Sequence, residues 1–151
     1  MIQKILNIWN RLSIKQRWQS GFTLVELLVV LAILGLVAAV ATPQVLKYLA
    51  KAKTDTARVD IKGIGAALDL YMLDTGHYPS EQEGGLTALV AKPNTGEWHG
   101  PYLKSRGVPL DPWGRPYIYR FPGQHGDYDL YTFGADNAPG GTGENQDVVN
   151  W

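Results

Sequence analysis

The chain has no cysteine, and only two methionines, three phenylalanines and three histidines among its 151 residues. Without thiols there is no disulfide framework, no thiolate metal site and no cysteine nucleophile. Acid is missing from residues 1–21, which carry Lys4, Arg11, Lys15 and Arg17, so a chain of zero formal charge divides into a +4 leader and a −4 remainder. A net negative remainder lacks the basic face that nucleic acid requires, and nucleic-acid binding is set aside. Motifs of hydrolytic or metal chemistry are also missing: there is no HExxH, no nucleophile elbow, no EF-hand spacing and no internal repeat. His77, His99 and His125 lie among Asp111, Asp127 and Asp129, but no spacing ties them into a catalytic set, and they read as ordinary loop and strand residues.

What is present begins with one acid. Residues 22–41 are apolar except for Thr23 and the single acid Glu26, and 20 residues at 1.5 Å each make about 30 Å of helix, the thickness of a bilayer's hydrocarbon core. A carboxylate inside such a span costs roughly 2.5 to 3.5 kcal/mol unless it finds a partner. Cleavage between Gly21 and Phe22 would create that partner, an α-amino group with a pKa of about 8 roughly one helical turn from Glu26. The chain therefore reads as a precursor whose basic leader stays in the cytoplasm while the carboxyl-terminal part crosses the membrane. The leader is no secretory signal, because the apolar run follows Gly21 instead of preceding it.

Three parts follow: a leader at 1–21, a transmembrane and assembly helix at 22–42, and a globular domain at 43–151, large enough for a single modest core. Gly35 and Pro43 weaken helix propensity in and just after the span. Beyond Pro43, the residues Ala57, Ile61, Ile64, Leu68 and Tyr71 recur at steps of four and three, a stripe predicted to lie on a core. Gly76 is placed to end this helix, giving one spine of about 50 residues. A short helix is predicted at 85–90, a turn at 111–114, and a hairpin from strands at 117–121 and 128–133. The expected fold class is α+β, with the long helix packed on a small antiparallel sheet. The tail is rich in Gly, Asp and Asn, yet ends on Val148, Val149 and Trp151, which argues against a floppy end.

The block GFTLVELLVVLAILGLVAAVATP resembles the amino terminus of the type IV pilin-like superfamily. Further on, YPSEQEGGLTALV, PYLK, VPLDPWGRPYIYRFPG, GDYDLYTFGAD and the final NW resemble the major pseudopilins of bacterial type II secretion, so that the resemblance runs from Gly21 to Trp151. It implies a nonenzymatic, pilin-like subunit: cut after Gly21 by prepilin peptidase, methylated on the nitrogen of Phe22, and anchored once in the inner membrane with its globular domain in the periplasm. It further implies a homo-oligomeric helical filament that works with minor pseudopilins and an inner-membrane assembly platform to export folded proteins. In such a filament Glu26 would neutralise a neighbour's Phe22 amine, and the stretch holding Gly35 and Pro43 would partly unwind.

The tail offers a second candidate site. Asp136, Asn145 and Asp147 are hard oxygen donors around a glycine-rich turn, and nearby carbonyls could complete the shell that calcium prefers. Spacing alone favours a plain turn, the commoner use of these residue types. The resemblance implies calcium here, held by Asp136, Asn145 and Asp147 with the Phe133 carbonyl as a further ligand; Asn145 stands where an aspartate is common, which removes one negative charge. Other readings are a type IV or competence pilin and a membrane-anchored periplasmic binding protein. The first typically closes its last loop with a disulfide that this chain cannot form. The second would use Trp98, Trp113 and Trp151 as stacking platforms, although Trp113 and Trp151 read more simply as core plugs.

Overall fold

Thr23 opens the first helix in the manner of an N-cap: its Oγ1 accepts the Glu26 backbone N–H at 3.2 Å and its carbonyl accepts that of Leu27 at 3.2 Å. The computed structural model describes residues 22–94 and 96–151. The leader and Gly21, half of the expected cleavage site, lie outside them. Helix α1 (Leu24–Thr75) is 52 residues long and continues through both Gly35 and Pro43. It ends where Gly76 takes φ +83° and donates its N–H to the Met72 carbonyl at 2.8 Å, a left-handed cap that suits glycine.

The chain divides into two units, residues up to Ala41 and residues 42–151. In the first, every described residue is exposed, and the apolar helical stretch is long enough to cross a membrane. In the second, the predicted stripe is the core face: Ala57, Ile61, Ile64, Leu68 and Tyr71 are all buried, together with Leu86, Ala88, Leu89, Tyr117, Leu130 and Val148. The short helix predicted at 85–90 is a 3-10 segment, Gly85–Leu89.

Three strands form one antiparallel sheet in the order β1 (Ile118–Arg120), β2 (Asp129–Thr132), β3 (Val148–Val149). The predicted hairpin supplies β1 and β2, with Tyr119 opposite Leu130. All four residues of the central strand are buried. The third strand comes from the tail, where Tyr131 faces Val149 and Thr132 faces Val148. Asn150 extends this ladder: its Oδ1 accepts the Leu130 N–H at 2.7 Å, and its own N–H reaches the Leu130 carbonyl at 3.1 Å. Trp151 is not the core plug expected. Its ring is half exposed, stacked at 4.0 Å on His125 and edge-on to Tyr131, because β3 ends two residues earlier, at Val149, and leaves this side chain at the rim. Trp113 and Trp98 do pack, half-buried, against the core.

Candidate functional site

Glu26 is the third residue of α1, and with Thr23 it makes the T-x-x-E signature of a helix start. An acid in the first turn also opposes the positive end of the helix dipole. The position therefore has a local use that the spacing from Gly21 did not disclose. Phe22 is exposed, as are Gly35 and Pro43.

In the tail, the structure folds residues 134–147 back on themselves. Gly134, at φ +68°, lies so close to the far side of the loop that a Cβ would come within 2.8 Å of both the Asn145 carbonyl carbon and the Gln146 oxygen. A Cβ on Gly141 would fall 2.5 Å from the Asn145 main-chain oxygen. Ala135 N–H donates to the Glu144 carbonyl at 2.9 Å. Two of the expected ligands shape the turn: Asp136 Oδ1 accepts Ala138 N–H at 3.1 Å, and Asp147 Oδ2 accepts Gly140 N–H at 2.9 Å. The other oxygen of Asp147 is buried without a hydrogen-bond donor among the described residues. Burying a carboxylate oxygen this way is costly unless something positive meets it. The chemistry fits a hard cation; Asp136 and Asn145 belong to the same loop, and Phe133 immediately precedes it. Among the described residues no three His, Cys, Asp or Glu side chains gather, so such an ion would depend on amide and main-chain oxygens for most of its shell.

A clamp beside this loop was not foreseen. Asp111 is buried and accepts the N–H groups of Trp113 at 3.0 Å and Arg115 at 2.8 Å, plus the Thr132 hydroxyl at 2.5 Å. Arg115 lies 3.4 Å from Asp111 and donates to the Gly134 carbonyl, tying the 111–114 turn to the loop's first residue. The D-P-W-G turn was legible, but its long-range partners had no local signal.

The three histidines each meet a carboxylate in separate places. His77 Nε2 lies 2.9 Å from Glu83, His99 Nδ1 3.1 Å from Asp74, and His125 Nδ1 3.1 Å from Asp129. The Ser80 hydroxyl also bonds Glu83, at 2.7 Å. In a hydrolytic triad the imidazole stands between hydroxyl and carboxylate; here Glu83 stands between Ser80 and His77. Ser80 and Glu83 instead form a capping box on the 3-10 turn Glu81–Glu83. Burial opposes ionisation of Glu83, but the Ser80 backbone N–H, His77 and the Ser80 hydroxyl outweigh it and hold the carboxyl at about 2. The hydrogen bond to Glu83 in turn raises His77 above its ordinary value of 6.5.

The family model for type II secretion system (T2SS), protein G matches residues 44–151, and the prokaryotic N-terminal methylation motif matches residues 19–42. A Pseudomonas aeruginosa protein named type II secretion system core protein G is 50% identical over 143 residues, covering 91% of this chain and 98% of that protein. Its namesake in Vibrio cholerae is 43% identical, covering 91% and 94%. The crystal structure of the major pseudopilin from the type 2 secretion system of enterohaemorrhagic Escherichia coli is similar at TM-score 0.55 and 35% identity, over 67% of this chain and 88% of that one.

Proposed function

Because the chain belongs to the type II secretion system protein G family, the major pseudopilins, we propose that it polymerises into a periplasmic helical filament that drives folded proteins across the outer membrane. The observation that carries this reading is the pairing of two matches in one chain, a methylation motif at residues 19–42 and the protein G domain at 44–151. Prepilin peptidase would cut between Gly21 and Phe22 and methylate Phe22. The mature chain would sit once in the inner membrane, amino terminus in the cytoplasm, a topology supported by the +4 leader and the apolar stretch. Its partners would be copies of itself, minor pseudopilins and the assembly platform, and its role nonenzymatic.

In the filament, Glu26 of one subunit would pair with the Phe22 amine of another, setting the axial register of a head-to-tail contact that never closes into a ring. Gly35 and Pro43 would allow α1 to loosen as subunits pack. In the tail, Asp136, Asn145, Asp147 and the Phe133 carbonyl would hold calcium, which supplies positive charge to the donorless Asp147 oxygen and fastens the loop. The test is chemical crosslinking of the chain in membranes that contain the secretion apparatus. A ladder of its own multiples is expected; monomer alone, with the platform present, would sink the filament reading.

A further inference from the structure

We propose that an apolar pocket beside the 3-10 segment Gly85–Leu89 receives Leu70 and Leu73 of a second copy of this chain. The proposal rests on the filament reading above and names two surfaces that would meet in it. Both lie within residues 42–151, so neither depends on how the membrane-spanning unit is placed. The knob comes from α1. Two positions after each residue of the core stripe stand Val59, Gly63, Ala66, Leu70 and Leu73, all exposed. Two residues turn a helix by about 200°, so this second apolar stripe runs along the side of α1 opposite the core. Gly63 and Ala66 keep the middle of the row low, and Leu70 and Leu73 stand above it at the carboxyl-terminal end. Leu73 is 83% exposed, the most of any large apolar side chain described in 42–151. A contiguous apolar row, unlike single scattered residues, marks a surface that is covered in use.

The pocket holds about 400 Å³ and is walled by Leu86, Val108, Pro109, Pro116, Tyr117 and Tyr119, with the exposed Leu110 at its rim. No α1 residue lines it, and Leu86 and Tyr117 belong to the core that α1 covers from the other side. Its walls are formed in advance, since the prolines have fixed φ and the core holds Leu86 and Tyr117, and a preformed pocket costs little ordering to fill. The arrangement of knob and pocket selects a second copy as the occupant. They lie on opposite sides of one core and cannot meet within a single chain. Between chains they meet head to tail, a heterologous contact that repeats without needing to close, as a filament requires. A small ligand in the pocket would leave the α1 row bare, and a symmetric contact of row with row would leave the pocket bare and stop at a dimer.

The chain has no cysteine, so a thiol can be placed at one position at a time. Full-length Leu73→Cys and Leu110→Cys chains are expressed together, and each alone, in membranes that contain the secretion apparatus, and are treated with a short bismaleimide. Both positions are exposed, so neither variant disturbs the core. Because held thiols react far faster than diffusing ones, the mixture is expected to give a crosslinked pair at least about tenfold above either variant alone and above a mixture of Leu73→Cys with Lys92→Cys. Equal crosslinking by Leu73→Cys alone would show a symmetric contact and overturn the proposal. A Leu110→Cys adduct with a protein other than this chain would give the pocket to a different partner and overturn it as well. In a second arm, Leu73→Asp should cut the amine-crosslinked multiples at least about tenfold with the melting temperature unchanged, as expected for a knob at the centre of a contact; undiminished multiples would sink the assignment. The filament reading is judged separately, by the amine-crosslinked ladder of the parent chain. A ladder without the thiol pair overturns this contact alone, and the absence of any ladder overturns both.

Discussion

Asp147 concentrates the residue-scale questions, since one of its oxygens closes a turn and the other is buried without a donor among the described residues. A ligand that binds only the folded state stabilises it by mass action, about 2.7 kcal/mol at a hundredfold excess over its dissociation constant. Calcium is therefore expected to raise the melting temperature of the detergent-solubilised chain, chelator to reverse it, and Asp147→Ala to abolish the difference. A calcium response undiminished in the variant would remove Asp147 from the ligand set. Two glycines give a contrasting pair of expectations. Gly134→Ala meets backbone within 2.8 Å at a φ of +68°, and left-handed backbone alone costs an alanine about 1 to 2 kcal/mol, so stability should fall by more than that. Gly63→Ala, mid-helix with open space around it, should stabilise by about 0.5 to 1 kcal/mol. Equal effects in urea unfolding would contradict this reading of the loop.

At the scale of elements, legibility followed the range of the interactions involved. The stripe from Ala57 to Tyr71, the Gly76 stop and the β1–β2 hairpin could be read because helix period, cap and turn are written in neighbouring residues. Strand β3 could not, since two valines have no partner until Tyr131 and Thr132 are beside them. The Asp111–Arg115–Gly134 clamp stayed hidden for the same reason, and Trp151 was misplaced because burial at a chain end depends on where the last strand stops. The connection after α1 adds a pH expectation. His77 is raised above 6.5, so its contribution is complete below that value and fades as pH rises through the higher folded-state value. Glu83 is lowered from 4.5 to about 2, so its contribution is present above 4.5 and fades as pH falls toward 2. The pair should stabilise most between about pH 4.5 and 6.5. His77→Gln should flatten the alkaline side of the melting-temperature profile and Glu83→Gln the acid side; a profile unchanged by both would show that the pair does nothing for the fold.

At the scale of the whole molecule, the two units answer to different solvents. The core of residues 42–151 is internal, whereas the described residues up to 41 are exposed and must find lipid or other helices. Glu26 belongs to the second economy, and its use as a first-turn acid beside the Thr23 cap predicts only a local effect. The filament reading predicts more, because it couples Glu26 to an amine that exists only after cleavage. Glu26→Gln should leave membrane insertion and the melting temperature of the globular unit unchanged while reducing crosslinked multiples at least about tenfold. Blocking cleavage with Gly21→Val should do the same by withholding the amine. If carboxylate and amine act as one pair, the double variant should be no worse than either single one, the non-additivity expected of groups that share an interaction. Additive losses would separate the two residues, leaving Glu26 as a first-turn acid beside the Thr23 cap and the leader as the independent block to assembly.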